Sequence, residues 1–191
     1  MTSLTLNLNP IIKLTPEQFY QLCESNPELK LERNAQGELI LMPPTGGETG
    51  RSNSNINSQI WFWNEENQLG EVFDSSTGFT LPSGAERSPD VSWVQKSRWD
   101  GLNPEQKEKF IPLYPDFVIE IMSPFDNLKK LQDKMREYVE NGCRLGWLIN
   151  RKKQEVEIYR PGQVEVLKLP PNLYGEDVLS GFVLNMQKIW Q

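Results

Sequence analysis

The chain has 191 residues, a formal charge of −6 and no histidine. Without histidine there can be no Ser-His-Asp triad, His-ligated zinc or iron, or histidine general base. Any catalysis falls to Asp, Glu, Lys, Tyr, Ser or Cys, with an oxygen-ligated metal at most. The acidic balance argues against a broad, non-specific nucleic-acid binder but leaves room for a local basic surface.

No run approaches about 20 apolar residues, so no membrane span is expected. The first ten residues, MTSLTLNLNP, lack a basic region followed by an apolar block. No signal peptide is therefore expected, and a cytoplasmic location follows. Cys23 and Cys143 form neither a disulfide framework nor a zinc-ligand set, and read as small core or boundary residues. One domain is expected over 1–191, with 1–13 as an arm or edge strand.

In chain order, Thr15 is a helix N-cap with Pro16 at the first helical position, and that helix should end near Pro27. The stretch LKLERNAQGELILMPP alternates about a Gln36-Gly37 turn and predicts a hairpin. TGGETG then opens a polar helix with Ile56, Ile60 and Trp63 on one stripe, ending near Gly70. It lacks the Lys-Ser/Thr and the spacing of a P-loop, so nucleotide binding is rejected there. Trp61 and Trp63 cannot share a face of this helix, which leaves one for a surface or a dimer contact.

EVFDSSTGFTLPSG and SPDVSWVQ predict two strands joined by a Pro/Gly/Ser turn. After a polar segment with a short helix comes the most apolar strand, YPDFVIEIMSP. An amphipathic helix follows, capped by Asp126, ended by Gly142, with Leu128, Leu131, Met135, Tyr138 and Val139 on its core face. LGWLIN and EVEIYR predict an antiparallel pair, and a further short strand pair closes the chain. A strand, an amphipathic helix and another strand in sequence imply a crossover, hence an α/β domain with a mixed sheet flanked by helices.

Alternation puts Val118, Glu120 and Met122 on one face of the apolar strand. A carboxylate there is costly unless it is paired, protonated or bound to a metal. In SPDVSWV, Asp90 starts the neighbouring strand, so Asp90 and Glu120 can form an oxygen-rich pocket suited to Mg²⁺ or Mn²⁺. Asp116 lies roughly 13 Å from Glu120 along a straight strand, too far to share one metal, and reads as a turn residue. Lys134 sits at the border of the helix's apolar stripe, best placed to reach the sheet and activate water. A plain ion pair at Glu120 and a snorkelling Lys134 are the structural alternatives.

These segments, SPDVSWV, YPDFVIEIMSPFDNLKKLQDKMREYVENGCRLGWLIN and EVEIYRPG, closely resemble the Uma-type family of restriction-endonuclease-like bacterial proteins, in the PD-(D/E)-x-K nuclease superfamily. The resemblance runs roughly from Pro16 to Phe182. It implies a restriction-endonuclease-like fold, Asp90 and Glu120 as metal-binding acids, and Glu48 as an auxiliary acid. The superfamily's lysine position, two residues after the second acid, holds Met122 here. Either Lys134 replaces that lysine from the helix or the protein is inactive.

The expected function is a Mg²⁺- or Mn²⁺-dependent DNA endonuclease using Asp90, Glu120 and Lys134, with Lys134 polarising or helping to deprotonate water. Lys129, Lys130, Arg136, Arg144 and the Arg151–Lys153 turn are candidate phosphate contacts, and a homodimer, with two sites, is the simplest form for cutting two strands. A catalytically inactive binding or assembly module and a small-phosphoester hydrolase are the alternatives.

Overall fold

The computed structural model describes residues 3–191. Strand β1 (Leu4–Leu6) precedes helix α1 (Pro16–Glu24), the hairpin β2 (Lys30–Arg33) and β3 (Leu39–Met42), and the long helix α2 (Gly47–Asn67). Then come β4 (Gly70–Asp74), β5 (Phe79–Thr80), β6 (Glu86–Arg87) and β7 (Val91–Gln95). Two short helices, α3 (Lys96–Asp100) and α4 (Pro104–Glu108), lead to β8 (Phe117–Ile121), helix α5 (Leu128–Glu140) and β9 (Leu145–Asn150). The chain finishes with β10 (Glu155–Arg160), β11 (Gln163–Lys168), β12 (Asn172–Tyr174), β13 (Val183–Asn185) and α6 (Gln187–Trp190).

The central sheet has six strands in the order β11-β10-β9-β8-β7-β4. All its pairs are antiparallel except β8 and β9. That parallel pair requires a crossover, and α5 supplies it. A second, five-stranded sheet runs β1-β3-β2-β6-β5, and β12 and β13 pair separately. The architecture is the mixed α/β sheet with helices that the element order implied. Among the described residues no helix is long and apolar enough to cross a membrane.

Both faces of the central sheet are covered, which is why β8 is apolar almost throughout. Phe117, Ile119 and Ile121 pack with Ile56 and Ile60 of α2 and with Trp147 and Phe182. On the other face Val118 packs with Met135 and Tyr138 of α5. Glu120 shares that second face, so it points toward α5.

Several local expectations change. The segment expected to be one strand after α2 divides between the two sheets. Asp74 Oδ1 accepts both the N–H and the hydroxyl of Ser76, which turns the chain from β4 toward β5. Helix α5 is capped by Asn127, whose side chain accepts from Lys130 N–H at 3.1 Å. Asp126 instead accepts from Ser123 N–H at 2.8 Å, tightening the turn before the helix. Helix α1 stops at Glu24, short of Pro27, because Ser25 caps it. Of the two tryptophans on α2, Trp61 is the exposed one, while Trp63 packs against Trp93 and Phe182.

Gly70 shows how closely α2 and β4 are tied to β7. A Cβ there would lie 2.3 Å from the Trp93 indole and 2.3 Å from Val94 O. Gly70→Ala is expected to destabilise the protein by about 1–3 kcal/mol through this overpacking, read from urea unfolding. A midpoint at or above the wild-type value would contradict it.

Candidate active site

The register of β7 and β8 sets the site. Val91 pairs with Ile119, which places Asp90 across from Glu120 at one end of the sheet. Asp90 is fixed on both oxygens: Ile121 N–H donates to Oδ2 at 2.8 Å, and the Asn53 amide of α2 donates to Oδ1 at 3.1 Å. Asn53 Oδ1 is buried without a hydrogen-bond partner.

Glu120 is 5% exposed. Helix α5 meets it with two side chains one turn apart. Lys134 Nζ lies 2.7 Å from Glu120 Oε1, and the Tyr138 hydroxyl donates to the same oxygen at 3.0 Å. The crossover lays α5 over β8, and the i, i+4 spacing puts Lys134 and Tyr138 on one face of it. Met122, two residues after Glu120, lies past the end of β8; its N–H donates to Ile149 O.

The second sheet completes the cluster with residues that the sequence reading did not single out. Glu32 of β2 accepts Lys134 Nζ on Oε1 at 2.8 Å and Ser88 N–H on the same atom at 3.0 Å. Its Oε2 pairs with Arg87 at 3.0 Å. Arg87 also reaches Glu137 of α5 at 2.5 Å, and Glu137 Oε1 accepts Ala35 N–H. Arg33, which pairs with Glu86 in the β2–β6 register, points the other way. Glu32, Glu120 and Glu137 thus surround two cations, Lys134 and Arg87, with Asp90 across from Glu120.

Burial pushes Glu120 up to about 7; the Lys134 charge opposes this in part, and the Asp90 and Glu32 carboxylates reinforce it. At Glu32 burial also raises the pKa, but Lys134 and Arg87 outweigh it and hold the group down at about 2. For Lys134, burial disfavours the charge, yet Glu120 and Glu32 prevail and raise its pKa above the ordinary lysine value. Lys134 is therefore an ammonium donor rather than a proton acceptor.

The acids and Lys134 open onto a cleft of about 1320 Å³ whose walls include Asn53, Phe125, Lys130 and Arg136. Lys130 also donates to Thr5 Oγ1, and Arg136 pairs with Asp133 on the exposed side of α5. Lys129 pairs with Asp133 and does not line the cleft. Glu48, 68% exposed at its side chain, pairs with Arg51 and Arg151 at 2.9 Å each and lies outside the cleft walls. Arg144 pairs with Asp177. Asp116, at the far end of β8, binds Arg98 and accepts Gln95 N–H.

Among the described residues no three or more His, Cys, Asp or Glu side chains form a ready-made metal cage. The donors that do converge, Asp90 and Glu120 with the orphaned Asn53 oxygen close by, are all oxygen. That set fits a hard divalent cation held by one or two carboxylates and completed by water.

A family model described as "Uma2: Putative restriction endonuclease" matches residues 16–187. Among solved structures, the fold is similar to the crystal structure of "a putative nuclease belonging to DUF820" from Anabaena variabilis ATCC 29413. The TM-score is 0.77 at 25% identity, over 93% of this chain and 97% of that one. No curated protein matches. Both matches cover nearly the whole chain, the fold is restriction-endonuclease-like, and the chain belongs to the Uma2 family.

Proposed function

We propose that this protein is a Mg²⁺- or Mn²⁺-dependent DNA endonuclease whose site is built from Asp90, Glu120 and Lys134. The observation that carries this reading is the position of Lys134 Nζ, 2.7 Å from Glu120. The helix delivers an ammonium group to the acid pair although the usual strand position holds Met122.

Asp90 and Glu120 would hold the cation, which lowers the pKa of bound water and neutralises charge developing on phosphorus. Lys134 adds a fixed positive charge and N–H donors beside the scissile phosphate, in a site where burial strengthens both. Tyr138 orients Glu120 from the same helix face. Lys130 and Arg136 on the cleft wall are suited to the flanking phosphates. Glu48 as an auxiliary acid would require its carboxylate to leave Arg51 and Arg151. Cutting both strands would bring two copies together on one duplex.

Purified protein is expected to nick supercoiled plasmid with Mn²⁺ and to stop when the metal is chelated. Absence of nicking across metals and DNA forms would favour a catalytically inactive binding module on the same fold. Turnover of small phosphoesters without nicking would favour the third reading.

Metal binding should depend on pH in a defined direction. A proton on Glu120 competes with the cation, and burial has raised that proton's pKa to about 7. Mn²⁺ affinity is expected to rise by up to about tenfold per pH unit below neutrality and to level off above it. Calorimetric titration of the wild type at about pH 6 and about pH 8 checks this. Equal affinities would separate Glu120 from the metal.

A further inference from the structure

Lys134 does not belong to Glu120 alone. Its ammonium lies 2.7 Å from Glu120 Oε1 and 2.8 Å from Glu32 Oε1, so two carboxylates share one positive charge almost evenly. The two acids are otherwise different. Both Glu32 oxygens are already engaged, Oε1 by Lys134 and Ser88 N–H and Oε2 by Arg87. The contacts on Glu120, from Lys134 and Tyr138, both fall on Oε1. Glu32 is built as an anchor, and Glu120 keeps an oxygen for an outside partner.

The anchor is itself fixed. Arg33 pairs with Glu86 across β2 and β6, so the next residues along, Glu32 and Arg87, also lie side by side. Arg87 is held in turn by Glu137 of α5. The second sheet therefore grips the crossover helix at the same height as the acid pair.

We propose that Glu32, backed by Arg87, is a positioning residue that draws Lys134 partly away from Glu120 and so leaves Glu120 available to a divalent cation. The proposal rests on the metal-site reading of Asp90 and Glu120 given above. Its physical content is competition. Without the Glu32 charge, the whole Lys134 charge falls on Glu120, and a cation must displace it.

The test needs no activity measurement. Mn²⁺ is titrated calorimetrically into wild type, Glu32→Gln, Glu32→Asp and the Glu32→Gln/Lys134→Met double variant, with a circular dichroism melt on each. Glu32→Gln is expected to weaken Mn²⁺ binding by about tenfold, the usual scale for a group that orients a metal ligand. Glu32→Asp keeps the charge and is expected to keep most of the affinity. The double variant removes the competing ammonium as well and is expected to return to wild-type affinity or better.

Unchanged binding in Glu32→Gln overturns the proposal and leaves the metal site standing. Weak binding that the double variant does not restore also overturns it, since Glu32 would then be a ligand or a purely structural acid. If Glu32→Gln does not fold, Glu32→Asp and the double variant decide: wild-type affinity in both supports the proposal, and loss in either overturns it. No Mn²⁺ binding by the wild type brings down the metal reading first, and this proposal with it.

Discussion

Glu120→Gln is expected to abolish Mn²⁺-dependent nicking while leaving the thermal transition close to that of the wild type. The activity loss is expected to be at least about a thousandfold, because the variant removes one of the two acids proposed to hold the metal and the charge opposite Asp90. Stability is spared for a reason visible in the network. Glu120 is costly as a buried anion, and burial pushes its pKa up to about 7. When it becomes an amide, Lys134 still has Glu32 at 2.8 Å, and the amide oxygen can still accept from Tyr138. A structural ion pair would respond the other way, with a lower melting temperature. Nicking assays and melts on the same preparation distinguish the two, and retained nicking in a folded variant would remove Glu120 from the mechanism.

Arg87→Met is expected to have the largest effect on stability. Arg87 is the shared partner of Glu32 and Glu137, and both it and Glu32 are almost wholly buried. Removing it leaves Glu137 without its cation and Glu32 with only the ammonium it shares with Glu120. Breaking a buried pair from one side costs about 3–5 kcal/mol, because the orphaned charge stays desolvated. For a chain of this size that corresponds to a melting temperature lower by about 6–20 °C. Arg51→Ala, which breaks an exposed pair with Glu48, is the control and should change stability by no more than about 0.5 kcal/mol. Equal, small effects for the two variants would show that the network contributes little to the fold.

Some of this site could be read from the sequence because it is local. Alternation along β8 fixes the face of Glu120, and the matching position of Asp90 at the start of β7 requires only that the two strands pair. Lys134 was accessible from its place at the edge of an apolar stripe. Glu32 and Arg87 were not. Their partners lie far along the chain, Glu32 and Lys134 being 102 positions apart, and nothing in LKLERN marks its glutamate as more than a hairpin residue. The Glu-Arg doublets at Glu32-Arg33 and Glu86-Arg87 were the one available hint, since charged pairs repeated in two short strands must find partners once buried. The division of the segment after α2 between two sheets was equally hidden, because strand propensity does not say which sheet a strand joins.

The connection 122–127 between β8 and α5 carries a consequence of its own. Each residue of a helix advances about 1.5 Å and turns about 100°. The residues joining the acid's strand to the lysine's helix therefore act as a ruler. One residue more or fewer would rotate Lys134 and Tyr138 off Glu120 together, even with every side chain of the site unchanged. In a strand-borne lysine two places from its acid, the backbone sets that distance automatically. Here loop length sets it, and the spacing between YPDFVIE and KMREY is as much a component of the site as the residues themselves.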